Sequence, residues 1–265
     1  MKIIALSDLH LVPQGQTSKG LDTADRLRLA LADVGAKHAD AAFCVMLGDL
    51  ADRGEVGAYQ LLKELINELP VPVHLMIGNH DDRETFLHVF SDHRVDANGY
   101  VQGVHDTAEG RFVFLDTAAA GRDDGVLCER RLAWLEARLG ECAGQPAYVF
   151  LHHPPYEIGL PVDNVRLVDS QPLLDILQQY GNVRHLFSGH THRSASGVWR
   201  GLPFASLGAT HYNVGLHLKA WEGPVPRFYA PAYYSVILID EAQVLVHQND
   251  YLTMSPRLAP QLFSS

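Results

Sequence analysis

Seven side chains stand out by type and position: Asp8, His10, Asp49, Asn79, His152, His190 and His192. Five short, mainly apolar runs each end at one of them. Ile4–Ser7 leads to Asp8, Val45–Gly48 to Asp49, Leu75–Gly78 to Asn79, Tyr148–Leu151 to His152, and His185–Gly189 to His190. The other two follow at i+2, in Asp8-Leu9-His10 and His190-Thr191-His192, and in extended chain such pairs point to one side. Oxygen and imidazole donors without a thiolate suit Mn, Fe, Zn or Co rather than copper(I) or an iron–sulfur cluster. Seven donors exceed the needs of one ion that keeps a position open for water, so the count fits two divalent ions per chain sharing a carboxylate. Gly48, Gly78 and Gly189 immediately precede three of the donors, where the lack of a Cβ permits a sharp turn and a close approach.

Donors at strand ends meet when the strands run parallel, because ligands collect at the C-terminal edge of an open α/β sheet. The chain provides that pattern. Apolar runs at Lys2–Leu6, Phe43–Leu47, Val73–Ile77, Phe112–Leu115, Ala147–Leu151 and Val183–Phe187 alternate with segments of helical period at Thr23–Ala36, Val56–Leu69, Glu129–Leu139 and Gln171–Tyr180. Alternation of this kind predicts βαβ units and a largely parallel sheet. From Ser194 to Leu207 and from Tyr233 to Val246 strands follow without helices between them, with a hairpin within Ile237–Leu245. A stretch rich in proline and aromatics, Trp221 to Pro231, separates the two. With no repeat or Gly/Ser linker, residues 1–265 are expected to form a single α/β domain whose strand-rich C-terminal half is 194–265.

The 265 residues include 31 acidic and 21 Lys or Arg side chains, giving a formal charge of −10, and 47% are hydrophobic. With a mean hydropathy of −0.05 this is a folded, water-soluble composition. An acidic chain without a basic cluster argues against a nucleic-acid polymer as partner. The longest basic run, Arg130-Arg131, reads as an exposed helix face. The apolar start stops at Asp8, too short for a secretion signal, and no run approaches the roughly 20 apolar residues of a membrane span, so a cytoplasmic location away from membranes is expected. Cys44, Cys128 and Cys142 form neither a paired framework nor a CxxC spacing, and Cys44 reads as a small hydrophobe inside a strand.

Taken in order, Asp8-Leu9-His10, Gly48-Asp49, Gly78-Asn79-His80-Asp81, His152 and Gly189-His190-Thr191-His192 resemble the signature of the calcineurin-like metallophosphoesterase superfamily. Gly48-Asp49-Leu50-Ala51-Asp52-Arg53-Gly54-Glu55, Gly78-Asn79-His80-Asp81-Asp82-Arg83 and His152-His153-Pro154-Pro155 look most like its bacterial class III cyclic-nucleotide phosphodiesterases and their glycerophosphodiesterase relatives. The resemblance implies a four-layered α/β/β/α sandwich. It also implies one ion held by Asp8, His10, Asp49 and His192 and a second held by Asp49, Asn79, His152 and His190, with Asp49 bridging.

The implied reaction is hydrolysis of a small phosphodiester, a 3′,5′-cyclic nucleotide such as cAMP or a glycerophosphodiester, by hydroxide generated on the ions and without a covalent enzyme intermediate. The resemblance places His80 at the leaving group as a proton donor and makes Asp52 the acid that orients it. Asp52 has a competing reading as a cap for the helix beginning near Val56. Asn79, His80 and His211 are candidate substrate contacts; His211 and His217, in the loop after the last metal block, have surface positions as their alternative. His153 reads as a support for the donor His152 or as purely structural, and Arg53 as a phosphate contact or as a solvated side chain, the latter slightly favoured.

Relatives of this kind are often oligomeric, so a homo-oligomer is expected, with Trp221 to Tyr234 as contact surface or lid. The alternatives are a phosphomonoesterase or phosphoprotein phosphatase of the same superfamily, and a scaffold built on a decayed centre, against which stands the complete donor set.

Overall fold

In the computed structural model, which describes residues 1–142, 144–218 and 223–253, strands and helices alternate through the first two thirds of the chain. They are β1 (Lys2–Leu6), α1 (Thr23–Lys37), β2 (Phe43–Leu47), α2 (Val56–Ile66), β3 (Val73–Met76), α3 (Arg83–Val89), β4 (Gly103–Thr107), β5 (Gly110–Leu115), α4 (Glu129–Glu141), β6 (Ala147–Leu151), α5 (Gln171–Tyr180) and β7 (Val183–Ser188). Six strands follow: β8 (Ala195–Trp199), β9 (Leu202–Ser206), β10 (Asn213–Val214), β11 (Arg227–Phe228), β12 (Tyr233–Ile239) and β13 (Val244–Asp250).

The strands form two large sheets rather than one. The first has the order β13-β12-β1-β2-β3, the second β4-β5-β6-β7-β9-β8, and β10 and β11 form a separate ribbon. Each large sheet has a parallel run, β1-β2-β3 in one and β5-β6-β7-β9 in the other; antiparallel strands flank it on the β12-β13 side of the first sheet and at both edges of the second. The expected hairpin is β12-β13, which completes the first sheet on β1.

Alternation along the strands explains why the sheets stack. In β2 every residue is buried; Phe43, Val45 and Leu47 join Phe112, Phe114, Phe150 and Phe187 between the sheets, while Cys44 and Met46 turn to the cluster under α1 and α2. In β6, Tyr148 and Phe150 face the first sheet, and Val149 and Leu151 pack with Leu135, Leu139, Leu173 and Leu177 of α4 and α5. Strands buried on both faces need continuous apolar sequence, which is what these runs contain. The three clusters are the three interfaces of an α/β/β/α sandwich.

Arg131 corrects the reading of Arg130-Arg131 as an exposed face. Arg130 is exposed, but Arg131 is 4% exposed, lies 3.5 Å from Asp116 Oδ1, and donates hydrogen bonds to the Asp116 and Ala118 carbonyls. Arg83 donates to both oxygens of the same carboxylate. A buried carboxylate requires cationic partners, and Asp116 draws one from each of α3 and α4. Among the described residues no helix is long and apolar enough to cross a membrane. In the aromatic stretch, Trp221 and Glu222 lie outside the described residues, while Phe228 and Tyr229 are each 49% exposed.

Candidate metal centre

The first sheet delivers Asp8 and His10 after β1, Asp49 after β2 and Asn79 after β3; the second delivers His152 after β6 and His190 and His192 after β7. One ligand atom from each of Asp8, His10, Asp49 and His192 lies within 4.8 Å of the others. His152, His153 and His190 form another such group, and His10, Asp52 and His80 a third. Asp49 stands between the clusters, with Oδ1 3.4 Å from His152 Nε2 and Oδ2 3.6 Å from His10 Nε2. Asn79 Oδ1 is 3.3 Å from His152 Nε2, and Asp8 Oδ1 is 3.4 Å from His192 Nε2.

The backbone at these positions is unusual. Asp8, His10, Asp49, His190 and His192 all have positive φ, between 46° and 68°. Left-handed non-glycine residues cost roughly 1–3 kcal/mol each and gather at functional sites. The turns are also tight: Gly48 has φ 95°, and a Cβ there would stand 2.7 Å from both the Gly78 nitrogen and His152 Nδ1.

Carbonyls and one carboxylate set the tautomers. His152 Nδ1–H donates to the Leu47 carbonyl and His192 Nδ1–H to the Tyr212 carbonyl, each at 2.7 Å, and His10 Nδ1–H donates to Asp52 Oδ1 at 3.1 Å. Each bond frees Nε2, with its lone pair, for the interior of the site, the usual arrangement behind a metal-binding imidazole. His10 Nε2 and His192 Nε2 meet at 3.1 Å, and His190 Nε2 is buried with no protein partner. Converging imidazole lone pairs, an orphaned buried nitrogen and two buried carboxylates form a donor set that suits divalent ions.

Proton affinity divides the rings, and a divalent ion at His152 would have to displace a proton. Burial depresses His190 and His192 to about 4 despite the carboxylates nearby. Burial also opposes the charged form of His152, but Asp49 outweighs it and lifts the ring to about 9. Burial acts on Asp52 as well and is overcome by the bond from His10, which holds the carboxyl at about 2.

The expected partners of His80 and Asp52 are rearranged. His80 Nδ1–H donates to the backbone carbonyl of Asp52 at 2.7 Å, whereas the Asp52 carboxylate takes His10. Asp52 does not cap the following helix: Glu55 occupies the N-cap of α2, without a side-chain bond. His211 is fully buried rather than on the surface, with its ring 4.9 Å from that of His10 and Nε2 3.2 Å from the Ser18 carbonyl. His153 bonds Thr117 Oγ1 through Nδ1 at 2.8 Å, and the Arg53 side chain is 83% exposed.

Asp81 is an organising residue that sequence reasoning passed over. Its carboxylate accepts from the backbone nitrogens of Leu50, Ala51 and Gly78 and from Tyr59 Oη, at 2.8 to 3.1 Å, lashing the Asp49 and Asn79 turns together. The only signal was its place in Gly78-Asn79-His80-Asp81.

A family model described as calcineurin-like phosphoesterase matches residues 1–194, which carry the whole donor set. The chain belongs to the calcineurin-like phosphoesterase family. Among its calcineurin-like relatives, a probable cyclic nucleotide phosphodiesterase of Rhodopseudomonas palustris is 38% identical, over 97% of this chain and 94% of that protein. A glycerophosphodiester phosphodiesterase of Enterobacter lignolyticus is 30% identical, over 64% of this chain and 63% of that protein. The calcineurin-like fold is shared with a dimetal phosphatase from Danio rerio, with a TM-score of 0.70 and 16% identity, over 95% of this chain and 96% of that one. Calcineurin-like phosphoesterases use a dinuclear metal centre, and the clusters around Asp49 are this chain's candidate groups for it.

Proposed function

We propose that this protein is a two-metal phosphodiesterase acting on small diesters, cyclic nucleotides or glycerophosphodiesters. The observation that carries the reading is Asp49, whose two oxygens face His152 on one side and His10 on the other. Asp8, His10, Asp49 and His192 would hold one divalent ion and Asp49, Asn79, His152 and His190 the other, with Mn, Fe, Zn or Co as the chemistry of the donors allows. Bound there, the ions supply positive charge for the phosphoryl oxygens and acidify a water near neutral pH.

The chain's own groups do the rest. Asp8 accepts hydrogen bonds from Ser7 Oγ at 2.6 Å and from the His190 amide, and Asp49 accepts one from the His80 amide at 2.9 Å. Both side chains are thereby held in position before substrate arrives. His80, with Nδ1–H committed to the Asp52 carbonyl, keeps Nε2 for the substrate and in its protonated form passes that proton to the departing alkoxide. Asn79 and His80, neighbours at the end of β3, are the substrate contacts in this reading. His211 supports the His10 side of the centre. We also infer one domain over 1–265, a homo-oligomer and a cytoplasmic location, checked by limited proteolysis, light scattering and fractionation.

The decisive comparison is turnover of bis(p-nitrophenyl) phosphate against p-nitrophenyl phosphate with Mn(II). A preference for the diester is expected. A strong preference for the monoester would replace this reading with the phosphomonoesterase one, and a protein that takes up no metal and stays inactive would leave only a scaffold.

A further inference from the structure

Beside the candidate centre, His190 and His192 also line a cavity of about 280 Å³. The rest of its lining is largely apolar, with Leu160, Val162, Val214 and Val225 among it and Thr191, Tyr212 and Arg227 as the polar side chains. Its parts are held rigidly. Asp163 accepts the backbone N–H groups of Ile158, Gly159 and Leu160 at 2.9 to 3.1 Å, which fixes the turn carrying Leu160 and Val162. On the ribbon, Val214 pairs with Arg227, and the Val214 amide donates to the His192 carbonyl at 2.9 Å. The Tyr212 ring stacks on His192 at 4.1 Å, and the Arg227 guanidinium lies 5.2 Å from the Tyr212 ring centre.

We propose that this cavity is a subsite for a flat heterocyclic group, a nucleobase, carried by the diester whose phosphate sits at the metal donors. The proposal rests on the phosphodiesterase reading above. Apolar walls favour a ring and penalise glycerol, whose hydroxyls would lose water without gaining partners. An arginine at the cavity supplies a planar cation, which stacks on bases and bonds their edges. Tyr212, Val214, Val225 and Arg227 all lie beyond the 1–194 span of the family model, so this wall is not part of what that model matches.

The test uses the full chain loaded with Mn(II), as wild type, Arg227→Ala and Val162→Asp. The readout is the preference, kcat/KM for 3′,5′-cyclic AMP over that for glycerophosphoethanolamine. Wild type is expected to favour the nucleotide, and each variant to lower the preference about 10-fold through KM, the scale of losing one base-stacking contact. Calorimetry with adenosine 5′-monophosphate and with inorganic phosphate gives a second readout: the ratio of the two Kd values should rise by the same factor in Arg227→Ala. A preference within twofold of wild type in both variants, each with wild-type metal content, overturns the subsite. So does a wild type that favours glycerophosphoethanolamine and binds the nucleotide no better than phosphate. Hydrolysis of p-nitrophenyl phosphate with neither diester turned over would instead refute the phosphodiesterase reading, and the subsite with it.

Discussion

Asp52→Ala separates two roles that one acidic residue could play. In the structure its carboxylate accepts from His10 Nδ1 at 3.1 Å, while only its backbone carbonyl meets His80. The substitution deletes the first contact and leaves the second. Loss of a partner behind a metal-binding histidine typically costs about 10–100-fold in metal affinity, or about 1.4–2.7 kcal/mol. The upper part of that range applies here, because the His10 side chain is only 2% exposed and that of Asp52 12% exposed, so water replaces the lost acceptor poorly. Activity titrated with Mn(II), and metal content after dialysis, should therefore both show affinity for Mn(II) weakened about 60-fold. Asp52→Asn, which can still accept through Oδ1, should recover most of this. At saturating Mn(II) the ratio of kcat for glycerophosphoethanolamine to that for bis(p-nitrophenyl) phosphate should stay within twofold of wild type. The opposite pattern, unchanged Mn(II) affinity with selective loss on the alkoxide substrate, would show that the carboxylate acts on His80 and would refute the reasoning.

Asp49→Ala should abolish activity and leave less than one ion per chain by elemental analysis; retention of two ions would remove its bridging role. His80→Ala should retain both ions and lose about 100-fold on alkoxide leaving groups while losing far less on nitrophenyl esters, as expected for a lost proton donor. Gly78→Ala would bring a Cβ to 2.6 Å from His152 Nε2, so Mn(II) content should fall while the circular dichroism of the sheets persists. His185, remote from the centre and stacked on Phe187, is pushed down by burial to about 4 against 6.5 when unfolded. Between those values the unfolded chain binds the extra proton, so stability falls as pH drops through that window, by up to about 1.4 kcal/mol per pH unit for this group. His185→Phe should flatten the dependence of urea midpoints on pH between 4 and 6.5; an unchanged slope would exclude His185 as its source.

The limits of β1, β2, β6 and α5 coincide with the runs read from the sequence, because continuous burial and helical period are local signals. What remained hidden was partnership. Gly103–Thr107, an edge strand with the mixed sequence GVHDT, carries no apolar pattern, and its pairing to β5 is what makes it a strand. The alternation of strands and helices did not say where one sheet stops and the next begins: β3 ends the first sheet as an edge strand, with Val73 and His74 only partly buried, and only the resemblance implied two stacked sheets. The donors were legible as strand ends followed by Asp, Asn or His. The Asp52 carboxylate and the burial of Arg131 were not, since each depends on a residue, His10 or Asp116, that only the folded chain brings near.

The division of the donors between the sheets has a consequence for how the protein matures. Asp8, His10, Asp49 and Asn79 ride on one sheet and His152, His190 and His192 on the other, so each proposed ion would be gripped from both. Neither sheet alone offers either ion its full set. Uptake of ions at those positions would then be a rivet driven last, once the aromatic layer between the sheets has brought both half-sets together. Metal stoichiometry thus becomes a gauge of assembly: a chain with well-formed strands but slipped sheets would show normal circular dichroism and come off a column empty.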